Sequence, residues 1–226
     1  MEINGILKND IFEWDAGNWS KSITYWNKYL NSNNNVCLEL GANKGGLSLW
    51  LASKGNTVIC SDLHSPEVQA SEVHLKYECS KKIKYEAIDA TNIPYVAHFD
   101  IVSFKSVLGG IGVNNIELMK KTIDSIYISL KPGGKLLFSK NTKATFVHMW
   151  SRNLFLKRKD SWSYLDIKKV DELFNSFKNV NYITVGFLGT FGRNERQREI
   201  LSKIDNIIAP IIPKIWRYIV IGVAEK

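Results

Sequence analysis

The sequence is poor in cysteine: Cys37, Cys60 and Cys79 are its only three. They cannot all pair within one chain, and none belongs to a CxxC motif or a His/Cys cluster, which excludes a disulfide scaffold and argues against a zinc ribbon. Buried thiols in a reducing compartment are the expectation. The four histidines are scattered, so no metal centre is expected. No apolar run approaches the roughly 20 residues of a membrane-spanning helix. The opening stretch, MEINGILKNDIFEWD, carries acids where a secretory leader needs a basic start and an apolar stretch. No internal repeat exists, and the one low-complexity tract is a short polar run over 31–35. Acids are scarce too: 22 against 30 Lys and Arg, a net charge of +8. That excess attracts anionic partners at long range without naming one. The expectation is a soluble, cytoplasmic, single-domain protein.

What is present is ordinary globular material, 45% hydrophobic and 23% charged over 226 residues, enough to bury a full core. Residues 19–30 place Trp19, Ile23, Trp26 and Leu30 on one helical face, so 1–35 reads as an N-terminal helical extension. From Val36 onward the pattern alternates. Short apolar strands are expected at 36–40, 57–60, 83–88, 100–104 and 135–139. Helices are expected at 47–53, after Pro66, and at 115–130, where Ile116, Met119, Ile123, Ile126 and Leu130 share a face. Strands separated by helices pair in parallel through right-handed crossovers, giving an α/β doubly wound sheet with helices on both faces. Such sheets bind ligands beyond the carboxyl ends of their strands. The tail differs: a helix is expected at 166–177 and strands at 180–188 and 218–224. Between the strands, residues 195–208 set Ile200, Leu201, Ile204, Ile207 and Ile208 against a charged face.

The most informative stretch runs from Glu39 to Gly46 (ELGANKGG), a strand leading through glycines into a helix. Glycine accepts positive φ and lets a ligand approach the backbone. A dinucleotide site wants G-x-G-x-x-G, but Asn43 stands where the pyrophosphate needs the second glycine. Spacing Gly41, Asn43 and Gly45 makes a looser turn, and the Glu39 carboxylate suits a cationic amino-acid ligand while repelling a pyrophosphate. Asp62, ending the second strand, can accept both hydroxyls of a ribose or can cap a turn. Asp89, ending the third, can accept an adenine amino group beside the Ala90 backbone N–H, or can also serve a turn.

Together with Phe99 to Phe104 (FDIVSF) and Leu130 to Leu137 (LKPGGKLL), these elements resemble a class I S-adenosylmethionine (SAM)-dependent methyltransferase over residues 36–226. The resemblance implies a mostly parallel seven-stranded sheet in the order 3-2-1-4-5-7-6, last strand antiparallel, and SAM as cofactor. It implies that Glu39, Gly41, Ala42, Asn43 and Gly45 lie along the methionine part, Asp62 and Leu63 at the ribose, and Asp89 and Ala90 at the adenine. Lys105 and Ser106 would sit near the sulfonium and acceptor. A sulfonium makes its methyl group electrophilic, so such a protein mainly aligns and desolvates the reactants. For a hydroxyl acceptor the base candidates are His148, Lys105 and Tyr95.

Residues 131–159 hold eight Lys and Arg and no acid, with Phe146, Trp150, Leu154 and Phe155 interleaved. The segment, about 140–165, is expected either to draw in an anionic acceptor through Lys157, Arg158 and Lys159 or to be a solvated loop. The insert at 189–216 has four readings: a cap on the acceptor site, a homodimer contact, a peripheral membrane contact, or plain core. The leading expectation is methyl transfer to a small or medium acidic acceptor, such as a sugar, glycan precursor or lipid-linked intermediate. An RNA methyltransferase binding nucleic acid, a non-catalytic binding protein that keeps the fold, and a nicotinamide-dependent oxidoreductase are the alternatives.

Overall fold

A computed structural model describes residues 2–3, 5–30, 33–113, 115–155 and 162–226. Lys157, Arg158 and Lys159 lie outside the described residues. The main sheet has seven strands: β1 Val36–Leu40, β2 Thr57–Asp62, β3 Ile83–Ala87, β4 Phe99–Lys105, β5 Leu130–Asn141, β6 Asn179–Val185 and β7 Ile219–Glu225. Their order is β3-β2-β1-β4-β5-β7-β6, as the resemblance implies. β1 to β5 are parallel, and β7 runs antiparallel to both β5 and β6. Asn141, Ile219 and Val185 are in register, so the carboxyl ends of β5 and β6 and the start of β7 share the rim on which β1 to β4 end.

Alternation along each strand feeds two cores, one per face. On β5, Leu137 joins the core beneath the N-terminal segment, while Leu136 and Phe138 join the other. The first core packs α2 (Gly46–Ser53) with Trp19, Trp26 and Trp50; Trp26 Nε1 also donates to the Gly222 carbonyl at 3.0 Å. The second core takes Met119, Ile123 and Ile126 from α4 (Ile116–Ser129), which follows α3 (Glu67–His74) in the chain. Asn115 caps α4 by accepting the Leu118 N–H at 3.1 Å, worth about 1 kcal/mol.

Two expectations change. Residues 19–30 are not one helix: Ala16–Trp19 and α1 (Lys21–Trp26) meet at Ser20, and the chain turns before Leu30. Hydroxyls compete there for the carbonyls, Ser20 donating to Gly17 and Ser22 to Trp19. The 166–177 helix shrinks to a 3-10 turn and Val170–Leu173, because Phe174 stacks on Phe138 with ring centroids 4.3 Å apart and Phe177 packs on Tyr127.

The helix of the insert is α6 (Glu195–Ile208), which follows α5 (Phe146–Phe155) in the helix count. Its buried residues are Ser202 and Asp205, and Ile200, Ile204 and Ile207 face solvent. The polar side turns inward because Gly17 admits Ser202 at close range and Asp205 is needed by buried donors. Asp205 accepts the N–H groups of Leu188 and Gly189 and the Asn18 amide. Among the described residues no helix is long and apolar enough to cross a membrane.

Candidate active site

The turn after β1 is built from left-handed residues: Gly41 (φ +59°), Asn43 (φ +50°) and Gly45 (φ +67°). The Ala42 N–H donates to Ser61, and the Gly45 N–H closes on Ala42 at 2.7 Å. A Cβ on Gly45 would stand 2.6 Å from the His74 ring and 2.8 Å from Cys60 Sγ. His74 is buried, with Nε2 2.8 Å from the Gly45 carbonyl and Nδ1 2.9 Å from the Tyr85 hydroxyl, and burial lowers its pKa. It pins α3 and β3 to the turn. Nothing in the local sequence singled it out.

Glu39 lies beneath the turn, 3% exposed. Its oxygens accept the N–H groups of Leu47 (3.2 Å) and Ser48 (2.6 Å) at the start of α2, where unpaired donors and the helix dipole favour a carboxylate. Burial outweighs these bonds and pushes its pKa up to about 7. Asp62 is on the open side, accepting the N–H groups of Asn43 (3.1 Å) and Leu63 (2.8 Å). Leu63 beside it is 62% exposed. Asp89 closes an Asx turn through Oδ1, which accepts from the Thr91 N–H and hydroxyl, with Ala90 buried behind it.

At the end of β4, Lys105 is half-buried, with the Phe12 and Trp19 rings 5.8 and 5.9 Å from its ammonium. Burial lowers its pKa, partly offset by Glu13 and Glu39. Ser106 takes φ +68° and donates to Asn141 Oδ1 at 3.1 Å, bridging β4 and β5. The N-terminal segment straps this end of the turn. The Asn43 amide donates to Glu13, Lys44 pairs with Glu13 at 3.8 Å, and the Ile11 carbonyl occupies the space a Cβ on Gly46 would need. Tyr95 is not gathered with these groups: its hydroxyl donates to Glu86 at 2.8 Å, and its ring packs on His98 and Phe99, where β4 begins.

Beyond the ends of β5 and β6 lies a cavity of about 760 Å³. Its apolar wall includes Phe146, Phe187, Leu188, Phe191, Ile215 and Trp216; Lys143, Thr145, Asp166 and Lys168 supply polar groups. His148 is in the wall. Its Nε2 lies 2.8 Å from the Phe187 carbonyl, which can only accept, so Nε2 carries the hydrogen. Burial lowers the pKa, keeping the ring neutral, and Nδ1 accepts from the Thr145 hydroxyl at 2.6 Å. Thr145 escaped the sequence reading, since a lone threonine carries no motif. Among the described residues no group of three or more His, Cys, Asp or Glu is placed to hold a metal ion.

Residues 38–138, which carry the turn and Glu39, Asp62 and Asp89, match the family model of a methyltransferase domain. That stretch is similar to a methyltransferase domain, and the sheet order is that of the fold shared with SAM-dependent methyltransferases. A demethylmenaquinone methyltransferase of Clavibacter sepedonicus is 29% identical to this chain over 100 residues, 44% of the chain and 38% of the relative. The chain thus matches well under half the length of that curated relative. Two solved structures share the fold. A SAM-dependent methyltransferase from Methanosarcina mazei superposes with a TM-score of 0.64 at 18% identity, covering 89% of this chain and 96% of that one. Phosphoethanolamine N-methyltransferase 2 of Haemonchus contortus, solved in complex with SAM, gives 0.64 at 17% identity, covering 92% of this chain and 52% of that one.

Proposed function

We propose that the protein binds SAM along the rim of β1 to β4 and methylates a largely apolar, lipid-linked acceptor with an anionic head group in the cavity beyond β5 and β6. The observation that carries this reading is the division of one sheet rim between a left-handed turn flanked by carboxylates and a large aromatic-walled cavity.

The rim residues fit the cofactor. Asp62 would hold the ribose diol, and exposed Leu63 offers a flat apolar surface for a purine. Asp89 uses one oxygen in its turn and keeps Oδ2 for an amino group, with the Ala90 N–H alongside. Gly41, Ala42, Asn43 and Gly45 would follow the amino-acid part, and Lys105 and Ser106 would hold its end. Glu39 acts from below, locking α2 against the turn. SAM supplies an electrophilic methyl group on a positively charged sulfur. Burial lowers the Lys105 pKa, so its proton is held less firmly there than on a free lysine.

The chain's remaining tasks are alignment and deprotonation. Thr145 faces the cavity with its hydroxyl proton committed to His148, so its oxygen is ready to accept an acceptor hydroxyl and pass the proton to Nδ1. Lys143 and Lys168 provide the charge for an anionic head group, and the aromatic wall matches an apolar body. The relative named for demethylmenaquinone supports an apolar acceptor in place of a nucleic acid.

Titration calorimetry with SAM tests the reading: micromolar binding is expected, weakened at least about ten-fold by Asp62→Ala, the value of one lost charged hydrogen bond. Labelled methyl from SAM should then enter the lipid fraction of a cell extract. Absence of SAM binding by the full chain overturns the reading.

A further inference from the structure

α6 is amphipathic with its apolar side outward. Ile200, Ile204 and Ile207 follow one another at helical spacing, Ile211 comes in the turn just after α6, and Ile207 and Ile211 are each 79% exposed. This stripe is not a core face awaiting a better fit, because Ser202 and Asp205 already occupy the inward side with satisfied bonds. The chain then runs into Ile215 and Trp216, half exposed, which line the cavity. Phe146 of α5 also lines the cavity and is 82% exposed, and Trp150, one turn on, is 55% exposed.

Basic residues border this apolar surface. Arg196, Lys203 and Lys214 are exposed along the α6 limb, and Lys143 and Lys168 at the cavity. The acids here are engaged: Glu199 with Lys203 at 3.4 Å, and Asp166 with Lys143 at 3.8 Å. Aromatic and isoleucine side chains rimmed by lysine are what a lipid headgroup layer accommodates, the apolar groups entering the acyl boundary and the ammonium groups meeting phosphate. A second copy would bring its own cationic rim against this one, within a chain of net charge +8.

We propose that this face, from the α6 stripe to the cavity mouth, docks on an anionic phospholipid bilayer. Docked so, the protein lays the mouth of the cavity on the membrane surface, and an acceptor with an apolar body enters from the lipid without crossing water. The docking stands on the exposed face alone; the entry route rests on the methyltransferase reading above.

Co-sedimentation of the full chain with vesicles tests it, comparing phosphatidylcholine alone with phosphatidylcholine plus phosphatidylglycerol. Binding to the anionic vesicles is expected, with loss in high salt. The double variant Ile207→Ser/Ile211→Ser should bind at least about 100-fold more weakly, from two apolar side chains no longer inserted. Trp150→Ser should weaken binding in the same direction. Neither variant changes a residue of the SAM turn or of the cavity wall, so SAM calorimetry on the same preparations should match wild type, and that measurement judges the cofactor site separately. No association with anionic vesicles overturns the proposal. So does binding that the variants leave unchanged, or a stable dimer in sedimentation that Ile207→Ser/Ile211→Ser converts to monomer, since the occupant would then be a second copy.

Discussion

The side-chain amide of Asn43 donates to both carboxylate oxygens of Glu13, at 3.0 and 3.2 Å, so the N-terminal segment is fastened across the glycine turn. A ligand entering there meets this strap. Glu13→Ala removes the clasp from an exposed site and should leave global stability within about 0.5 kcal/mol. SAM association and release should both become faster, with release gaining more, as read by stopped-flow fluorescence of Trp14 and Trp19. Unaltered rates would show that the strap takes no part in entry.

Gly45 and Gly133 both have positive φ, +67° and +75°, but differ in surroundings. A Cβ at Gly45 meets His74 and Cys60 below 3 Å, while nothing lies within 4 Å of one at Gly133. Gly133→Ala should cost about 1 kcal/mol, the left-handed penalty alone. Gly45→Ala should cost about 3 kcal/mol or more, adding overpacking, and should abolish SAM binding. Urea melts of the two variants side by side give the comparison.

Glu39→Ala strands the Leu47 and Ser48 donors in the core. A loss of about 2–3 kcal/mol in urea unfolding is expected. Glu39→Gln, keeping one acceptor oxygen, should lose about half as much. Equal losses would mean that shape, and not hydrogen bonding, sets the contribution.

Asp15 is fully buried and accepts the Tyr218 hydroxyl. Burial raises its pKa to about 7, against the smaller lowering effects of Tyr218 and Arg198. Between about pH 4 and pH 7 the folded chain therefore holds a proton that the unfolded chain has released, and stability falls as pH rises through that window. Glu39, also raised to about 7, acts in the same sense. Asp15→Asn removes one of the two titrations. Its urea midpoint should drop less than wild type between about pH 5 and pH 8.

The Thr145–His148 pair makes a kinetic prediction. In the proposed relay the neutral ring takes the proton and burial lowers its pKa, so kcat should fall on the acid side with a midpoint below the ordinary histidine value of about 6.5. His148→Ala should lower kcat by about 10²-fold or more, and Thr145→Val should erase the same acid limb. A profile that keeps its limb in both variants assigns the base elsewhere.

The strand sequence, the glycine turn and the acids at Asp62 and Asp89 were legible because each is local: a strand end, a turn or a cap is written in a few adjacent residues. The terminal antiparallel pair came through family resemblance rather than from its own residues. Other features were hidden. His74 carries no motif, and its importance rests on Gly45 and Tyr85, 29 and 11 residues away. The bonds from Glu39 to the start of α2, eight and nine residues on, could not be read from the local sequence. Phe174 stacking on Phe138 broke a helix that periodicity extended.

By itself, then, the sequence determined the alternation of strands and helices and the positions where only glycine or a short polar side chain could turn the chain, since those follow from backbone sterics and local hydrogen bonding. Only the tertiary structure decided which way α6 faces. Hydrophobic periodicity marks an apolar stripe but not what covers it. Asn18 and the Leu188 and Gly189 amides, distant in the chain, claimed Asp205 for the interior. An unpaired buried donor costs more than an exposed isoleucine, so the polar side went in and the stripe was left to the solvent.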